Sequence, residues 1–219
     1  MNLIGRVSRE IALRIDQSLG SNIKPALGDV YRSTRRVWSV LRRVADPLCI
    51  RIRYALAPRK LAPLFLHLGC GPNRLPGYVN MDLWITDATD VIGNIEKLPW
   101  PDESAAAIEC HHVIEHISHR KIEAALSEWR RVLIPGGSLA VETPHFDEAI
   151  QQYLQGNEER LLSIFGRQRR LGDAHLYGYN PERLTRLLEK SGFSDIRRTE
   201  PQSHQAGEEP VFRMECRKN

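Results

Sequence analysis

From Leu64 onward, short apolar runs alternate with longer stretches of helical period. The runs LFLHL (64–68), YVNMDL (78–83), DVI (90–92), AAIECHH (106–112) and SLAVET (138–143) are bounded by turn residues and predict strands. Between the last two, KIEAALSEWRRVL puts Ile122, Ala125, Leu126, Trp129, Val132 and Leu133 on one face. This predicts an amphipathic helix that Pro135, Gly136 and Gly137 would stop. A later helix is expected to begin with Asn180 as its cap and Pro181 in its first turn, run through ERLTRLLEK, and end at Ser191 and Gly192. SDIRRTE and PVFRMECRK then read as two closing strands. Strands alternating with helices predict an α/β layer structure around a largely parallel sheet, with ligands bound beyond the carboxyl ends of the strands. Only nine residues separate Leu68 from Tyr78. A parallel crossover commonly takes a dozen or more, so a bend with at most one helical turn is expected there.

The chain before this pattern has a different character. In GDVYRSTRRVWSVLRRVADPL, Val30, Val37, Trp38, Leu41, Val44, Ala45 and Leu48 form an apolar stripe, while Arg32, Arg35, Arg36, Arg42 and Arg43 occupy the remainder. That is a basic amphipathic helix. Its favoured reading is a helix packed on the domain with its arginines in solvent; the competing one is a surface for anionic lipid or nucleic acid. Residues 1–63 carry 13 Lys or Arg against 4 Asp or Glu, and the rest of the chain 18 against 23, so the net charge of +4 hides a basic arm on an acidic body. The expected division is an extension over 1–60 and a domain over 61–219.

With 42% hydrophobic and 26% charged residues, the 219-residue chain has an ordinary globular composition. The uncharged stretch Leu61–Asn73 contains two glycines, two prolines and a histidine, and does not read as a membrane span. Arg6, Arg9, Glu10, Arg14 and Asp16 interrupt the apolar pattern of the first twenty residues, unlike a secretory signal. A cytoplasmic address is expected, with the arm allowing peripheral contact at an anionic membrane. Cys49, Cys70, Cys110 and Cys216 have neither zinc-type nor disulfide-framework spacing.

Candidate chemistry enters at LFLHLGCGPNRLPGYVNMDLW (64–84). A dinucleotide site wants G-x-G-x-x-G and an acid about 20 residues on. Here Arg74 replaces the third glycine, and Asp82 follows Gly71 by only eleven residues. No G-K-[ST] is present to cradle a triphosphate. A ligand with an adenosine and no phosphate fits better: small residues let it cross the first strand end, and a carboxylate at the second accepts the ribose hydroxyls. S-adenosylmethionine is such a ligand.

LHLGCGPN, NMDL, IEKLPWPDES, HHVIEHI and EWRRVLIPGGSLAVETP, in that order, resemble the class I S-adenosylmethionine-dependent methyltransferases, in particular the type 11 group and its short-loop relatives. LTRLLEKSGFSDIRR is similar to a late element of the same family, so the resemblance covers roughly 61–219. It implies a three-layer Rossmann-like fold with a mostly parallel seven-stranded sheet whose last strand is antiparallel, preceded here by the helical extension. It also implies that His67, Gly69, Cys70 and Gly71 face the cofactor, that Asp82 binds its ribose with Leu83 against the adenine, that Asn94 and Ile95 line the adenine pocket, and that His111 borders the sulfonium. Two positions depart from the family: Asn94 stands where Asp is usual, and Ala106 where Asp is usual.

Methyl transfer chiefly requires alignment, because the cofactor carries the activated group. A hydroxyl acceptor benefits further from a base, and His112, His145 and His175 are the candidates. His112, Glu115 and His116 form H-x-x-E-H. Certain quinone-ring O-methyltransferases that resemble this family bind a divalent ion through such a triplet with Glu in first place. His112 does not match, so no metal site is expected; Glu115 and His116 are read as fixing a turn. The cluster GRQRRLGDAHLYGY could take an anionic or sugar acceptor by charge and stacking. A small-molecule, glycan or lipid-linked sugar acceptor is therefore expected. A nucleic-acid methyltransferase that grips phosphates with the arm is the first rival, disfavoured by the absence of an N-P-P-Y-type motif. A non-catalytic cofactor-binding module is the second. The oligomeric state is not legible.

Overall fold

The β-branched and leucine-rich runs do form a sheet. In a computed structural model describing residues 37, 40–51, 63–170, 172–203 and 207–219, the strands are β1 (Leu64–Leu68), β2 (Val79–Asp82), β3 (Val91–Ile92), β4 (Ala105–His111), β5 (Leu133–Pro144), β6 (Phe193–Thr199) and β7 (Val211–Lys218). They make one seven-stranded sheet in the order β3-β2-β1-β4-β5-β7-β6. β1 to β5 pair in parallel, and β7 runs antiparallel to both its neighbours.

Register sorts the side chains into two faces. Leu66, Ile108 and Leu139 form one cross-strand row, and Leu68, Cys110 and Val141 the next; all six are essentially inaccessible. Helix α1 (Ile122–Val132) brings Ile122, Ala125, Leu126, Trp129 and Val132 into the same core, as the periodicity predicts. The Trp129 indole N–H donates to the Ile95 carbonyl at 2.8 Å, which ties the helix to the loop after β3.

The opposite face is furnished differently. The chain from Gly69 to Tyr78 contains no helix, as the nine-residue spacing requires, so no crossover helix covers this side of β1. Phe65 is 47% exposed, and Ala107, Glu109 and His111 are half-buried. The neighbouring positions carry an ion-pair cluster: Arg213 grips both oxygens of Glu109 (2.8 and 2.9 Å) and reaches Glu215 at 3.2 Å.

Three expectations require correction. Helix α1 ends at Val132, and the Pro-Gly-Gly segment lies within β5. Ala105 pairs with Leu133 but Ala107 with Ser138, so the residues between are thrown out as a bulge, with Gly136 at φ 74°. Two helices, α2 (Phe146–Leu154) and α3 (Arg160–Phe165), were not anticipated. The remaining helix, α4 (Pro181–Lys190), starts as expected: the Asn180 side chain accepts the Arg183 N–H at 2.7 Å.

The third correction concerns the basic arm, of which residues 40–51 are helical. It meets the domain through Arg42, Asp46 and Ile50, not through the apolar stripe. Asp46 accepts the Ile92 N–H at 3.0 Å, and Arg42 donates to the Asp90 carbonyl at 2.7 Å while pairing with Asp46. These bonds occupy backbone groups in and just before edge strand β3, which would otherwise present an open pairing edge. Val37, Val40, Leu41, Val44 and Leu48 are 53–72% exposed. Val30, Trp38, Arg32, Arg35 and Arg36 lie outside the described residues. No described helix is long and apolar enough to cross a membrane.

Candidate active site

At the carboxyl end of β1 the chain must turn sharply without a side chain. Gly69 has φ +69°, and a Cβ there would sit 2.2 Å from a Val113 methyl carbon. Its N–H and that of Cys70 both donate to the Met81 carbonyl, at 2.8 and 3.1 Å. Gly71, at φ +51°, faces open space. Its N–H donates to Asp82 Oδ2 at 2.7 Å, while Trp84 N–H donates to Oδ1 at 2.8 Å. Asp82 therefore holds the glycine loop against the end of β2, and each carboxylate oxygen retains lone-pair capacity for a ribose hydroxyl. The buried Cys70 thiol is pushed up to about 12, first by burial and then by the Asp82 charge, and is no nucleophile at neutral pH.

This loop forms one wall of a cleft of about 910 Å³, at the upper end of the ~300–1,000 Å³ usual for ligand pockets and roomy enough for a cofactor with an acceptor. His67, Gly69, Cys70, Gly71, Asp82, Leu83, Asn94, Ile95 and His111 all line it, and so do His112 and His175. His145 does not. Its Nδ1 accepts the Glu148 N–H at 3.3 Å as the cap of α2, and its ring packs edge-on to Phe212.

The residues on the glycine-loop side of the cleft differ in how free they are. His67 Nδ1 meets Asn80 Oδ1 at 2.9 Å; burial, the largest influence, lowers its pKa and keeps the ring neutral. His111 Nε2 lies 2.9 Å from Glu109 and 3.2 Å from Arg213, so it belongs to the ion-pair cluster as well as to the cleft. Leu83 is 42% exposed at the lip. Asn94 uses its side-chain oxygen to accept the Glu96 N–H at 2.9 Å.

Across the cleft, the chain leaves β4 through His112, whose φ is +53°, and enters a single 3-10 turn, Ile114–His116. His112 Nε2 lies 3.2 Å from Ser203 Oγ. Gln202 and Ser203 are held over this wall because the buried Glu142 carboxylate accepts both of their N–H groups, at 2.6 and 3.0 Å. The loop carrying His175 is fixed to the same turn: Leu176 and Tyr177 N–H donate to the Glu115 carbonyl at 2.7 and 3.2 Å. Trp84, a wall residue that follows Asp82 closely in sequence, was not singled out as a site residue; Arg43 and Arg170 approach its ring at 4.7 and 5.9 Å. Gln202 and Ser203 were missed too, and no local signal marks them.

Comparison with known proteins agrees with this geometry. Residues 80–141, from β2 to the middle of β5, match the family model described as a methyltransferase domain. A SAM-dependent methyltransferase from Methanosarcina mazei superposes with TM-score 0.51 at 16% identity, over 73% of this chain and 93% of that one. A second, from Thermotoga maritima, gives TM-score 0.51 at 18% identity, over 90% of this chain and 98% of that one. No curated protein matches significantly. The seven-stranded sheet and its helices make the Rossmann-like fold that these methyltransferases share. Residues 80–141 thus resemble a methyltransferase domain, and the fold around them is that of the two S-adenosylmethionine-dependent methyltransferases just compared.

Proposed function

We propose that the chain is an S-adenosylmethionine-dependent methyltransferase that methylates a hydroxyl of a small anionic or sugar-containing acceptor. The observation that carries this reading is the presence of His112 and His175 in the same cleft as the glycine loop and Asp82. In such a reaction S-adenosylmethionine, held by the glycine loop and Asp82, would supply the activated methyl group, and an imidazole nitrogen would take the proton of the acceptor hydroxyl. His112 stands on the strained corner at the end of β4, where this fold places reacting groups. Among the rim arginines, Arg169 is paired with Asp173 at 2.9 Å, whereas Arg170 reaches toward Trp84 and is the better handle for an acceptor phosphate or carboxylate.

The arm supports a location for this chemistry. A solvent-facing stripe of Val37, Val40, Leu41, Val44 and Leu48, within a segment of net charge +9 (13 basic minus 4 acidic residues over 1–63), suits adsorption to anionic lipid. An acceptor presented at a membrane surface follows from that reading.

The test is methyl transfer to a panel of hydroxylated acceptors with and without a phosphate or carboxylate. His112→Ala is expected to lower kcat by roughly 10²–10⁴ on hydroxyl acceptors. Arg170→Ala is expected to raise KM only for the anionic members. Turnover confined to nucleic acid, or a His112→Ala enzyme as fast as the parent, would exclude the proposal.

A further inference from the structure

We propose that Glu115, His116 and His175 form a binding site for one divalent transition-metal ion in the acceptor half of the cleft, contrary to the metal-free expectation from sequence. One ligand atom from each of the three lies within 4.8 Å of the others. The third ligand comes from a loop about 60 residues away in sequence, not from His112 in the H-x-x-E-H run.

Three independent features point to a cation. First, Glu115 is 2% exposed. Its Oε2 accepts the Thr143 hydroxyl at 2.9 Å, but Oε1 is buried with no hydrogen-bond partner, and His112 Nδ1 stands off at 3.7 Å. A buried, unpartnered carboxylate oxygen costs free energy that a bound cation would recover. Second, both imidazoles are fixed in the orientation ligation requires. His116 Nδ1 bonds the Ala174 carbonyl at 3.0 Å, and His175 Nδ1 bonds the Ser163 carbonyl at 2.9 Å. A carbonyl can only accept, so each Nδ1 carries the proton and each Nε2 presents a lone pair, as in metal-ligating histidines. Third, the two rings lie edge to face with centroids 4.9 Å apart, which brings both imidazoles to the Glu115 carboxylate.

The loop is built to hold this placement. Gly166 has φ +78°, and a Cβ there would fall 2.3 Å from the Asp173 carbonyl and 2.9 Å from the His175 ring. An ion at ~2.1 Å from each ligand needs them roughly 3 to 3.4 Å apart, so binding draws the three ligand atoms closer than the 4.8 Å within which they lie. Two nitrogens and one carboxylate oxygen suit zinc, cobalt, iron or manganese better than magnesium or calcium. Given the acceptor reading above, the coordination positions left open would receive an acceptor oxygen.

Metal binding is read out without turnover, so its failure and failure of the acceptor proposal are distinguishable. The full chain, freed of metal with a chelator, is titrated with Co²⁺ by visible absorption and with Zn²⁺ by calorimetry. One ion per chain is expected, with affinity reduced at least tenfold in H116A, H175A and E115Q and unchanged in H145A. Thermal melts establish that each variant folds; should E115Q not fold, the two histidine variants decide. No binding of either ion at millimolar concentration, or binding that survives H116A and H175A, would overturn the site.

Discussion

At the scale of single residues, two glycines that look equivalent in sequence have different duties. Both have positive φ, but only Gly69 is also hemmed in, by Val113. Gly71→Ala is expected to cost about 1 kcal/mol for left-handed backbone. Gly69→Ala adds a clash and is expected to abolish cofactor binding, with partial recovery in the Gly69→Ala/Val113→Ala double variant. Binding titrations and melting temperatures on the three proteins check this; equal effects at the two glycines would contradict it. The place of Asp82 at the end of β2 and in the cleft wall was legible from a short apolar run that ends on an acid after a glycine pair. Its bonds to the Gly71 and Trp84 N–H groups were not, since backbone donors leave no mark in sequence. The convergence of His175 on Glu115 and His116 was equally hidden, because it depends on how the 172–178 loop folds back. His145 shows the reverse case: its position after β5 suggested chemistry, and the structure uses it to cap α2.

At the scale of elements, periodicity located the strands and α1 because their buried faces alternate as expected. It failed for α2 and α3, which are short and keep Leu154, Leu162 and Phe165 more than half exposed, so no apolar stripe announces a buried face. For the arm, the amphipathic pattern was correct and the inferred orientation was reversed. An apolar stripe alone does not say which side packs, and here the Asp46 and Arg42 bonds to β3 decide it. Two separable outcomes follow. Asp46→Ala is expected to destabilise the fold by about 1–2 kcal/mol, leaving the Ile92 N–H without its acceptor, as read by denaturant unfolding. Val44→Asp with Leu48→Asp should leave stability nearly unchanged but abolish sedimentation with phosphatidylserine vesicles; retained sedimentation would refute membrane docking, and loss of a dimer instead would identify the stripe as a self-association face.

At the scale of the whole molecule, the shortened first crossover exchanges a covering helix for a half-open sheet face braced by charge. Burial alone would raise the pKa of Glu109, but hydrogen bonds from His111 and Arg213 outweigh it and hold the carboxyl below its usual value. Glu215 is held down chiefly by Arg197, and Glu128 by Arg131. A carboxylate whose folded pKa lies below its unfolded value of about 4.3 stabilises the fold fully above that value and loses the contribution as pH falls through the folded pKa. His67 and His175, held below their usual pKa by burial, bind protons more readily in the unfolded chain. The melting temperature should therefore be nearly flat only above about pH 7, decline below the unfolded histidine value of about 6.5 and fall steeply below about pH 4, and Arg213→Met should lower the plateau; a melting temperature that rises on acidification would contradict this. The same short crossover carries the glycine loop and the buried Asp82 in the wall of the cleft, and everything proposed for the acceptor depends on the cofactor lying there. Calorimetric titration of the full chain with S-adenosylhomocysteine tests that most directly. The account predicts one site per chain, weakened by about 2–3 kcal/mol in Asp82→Ala through loss of charged hydrogen bonds to the ribose; no binding, or an affinity indifferent to Asp82→Ala, would contradict it.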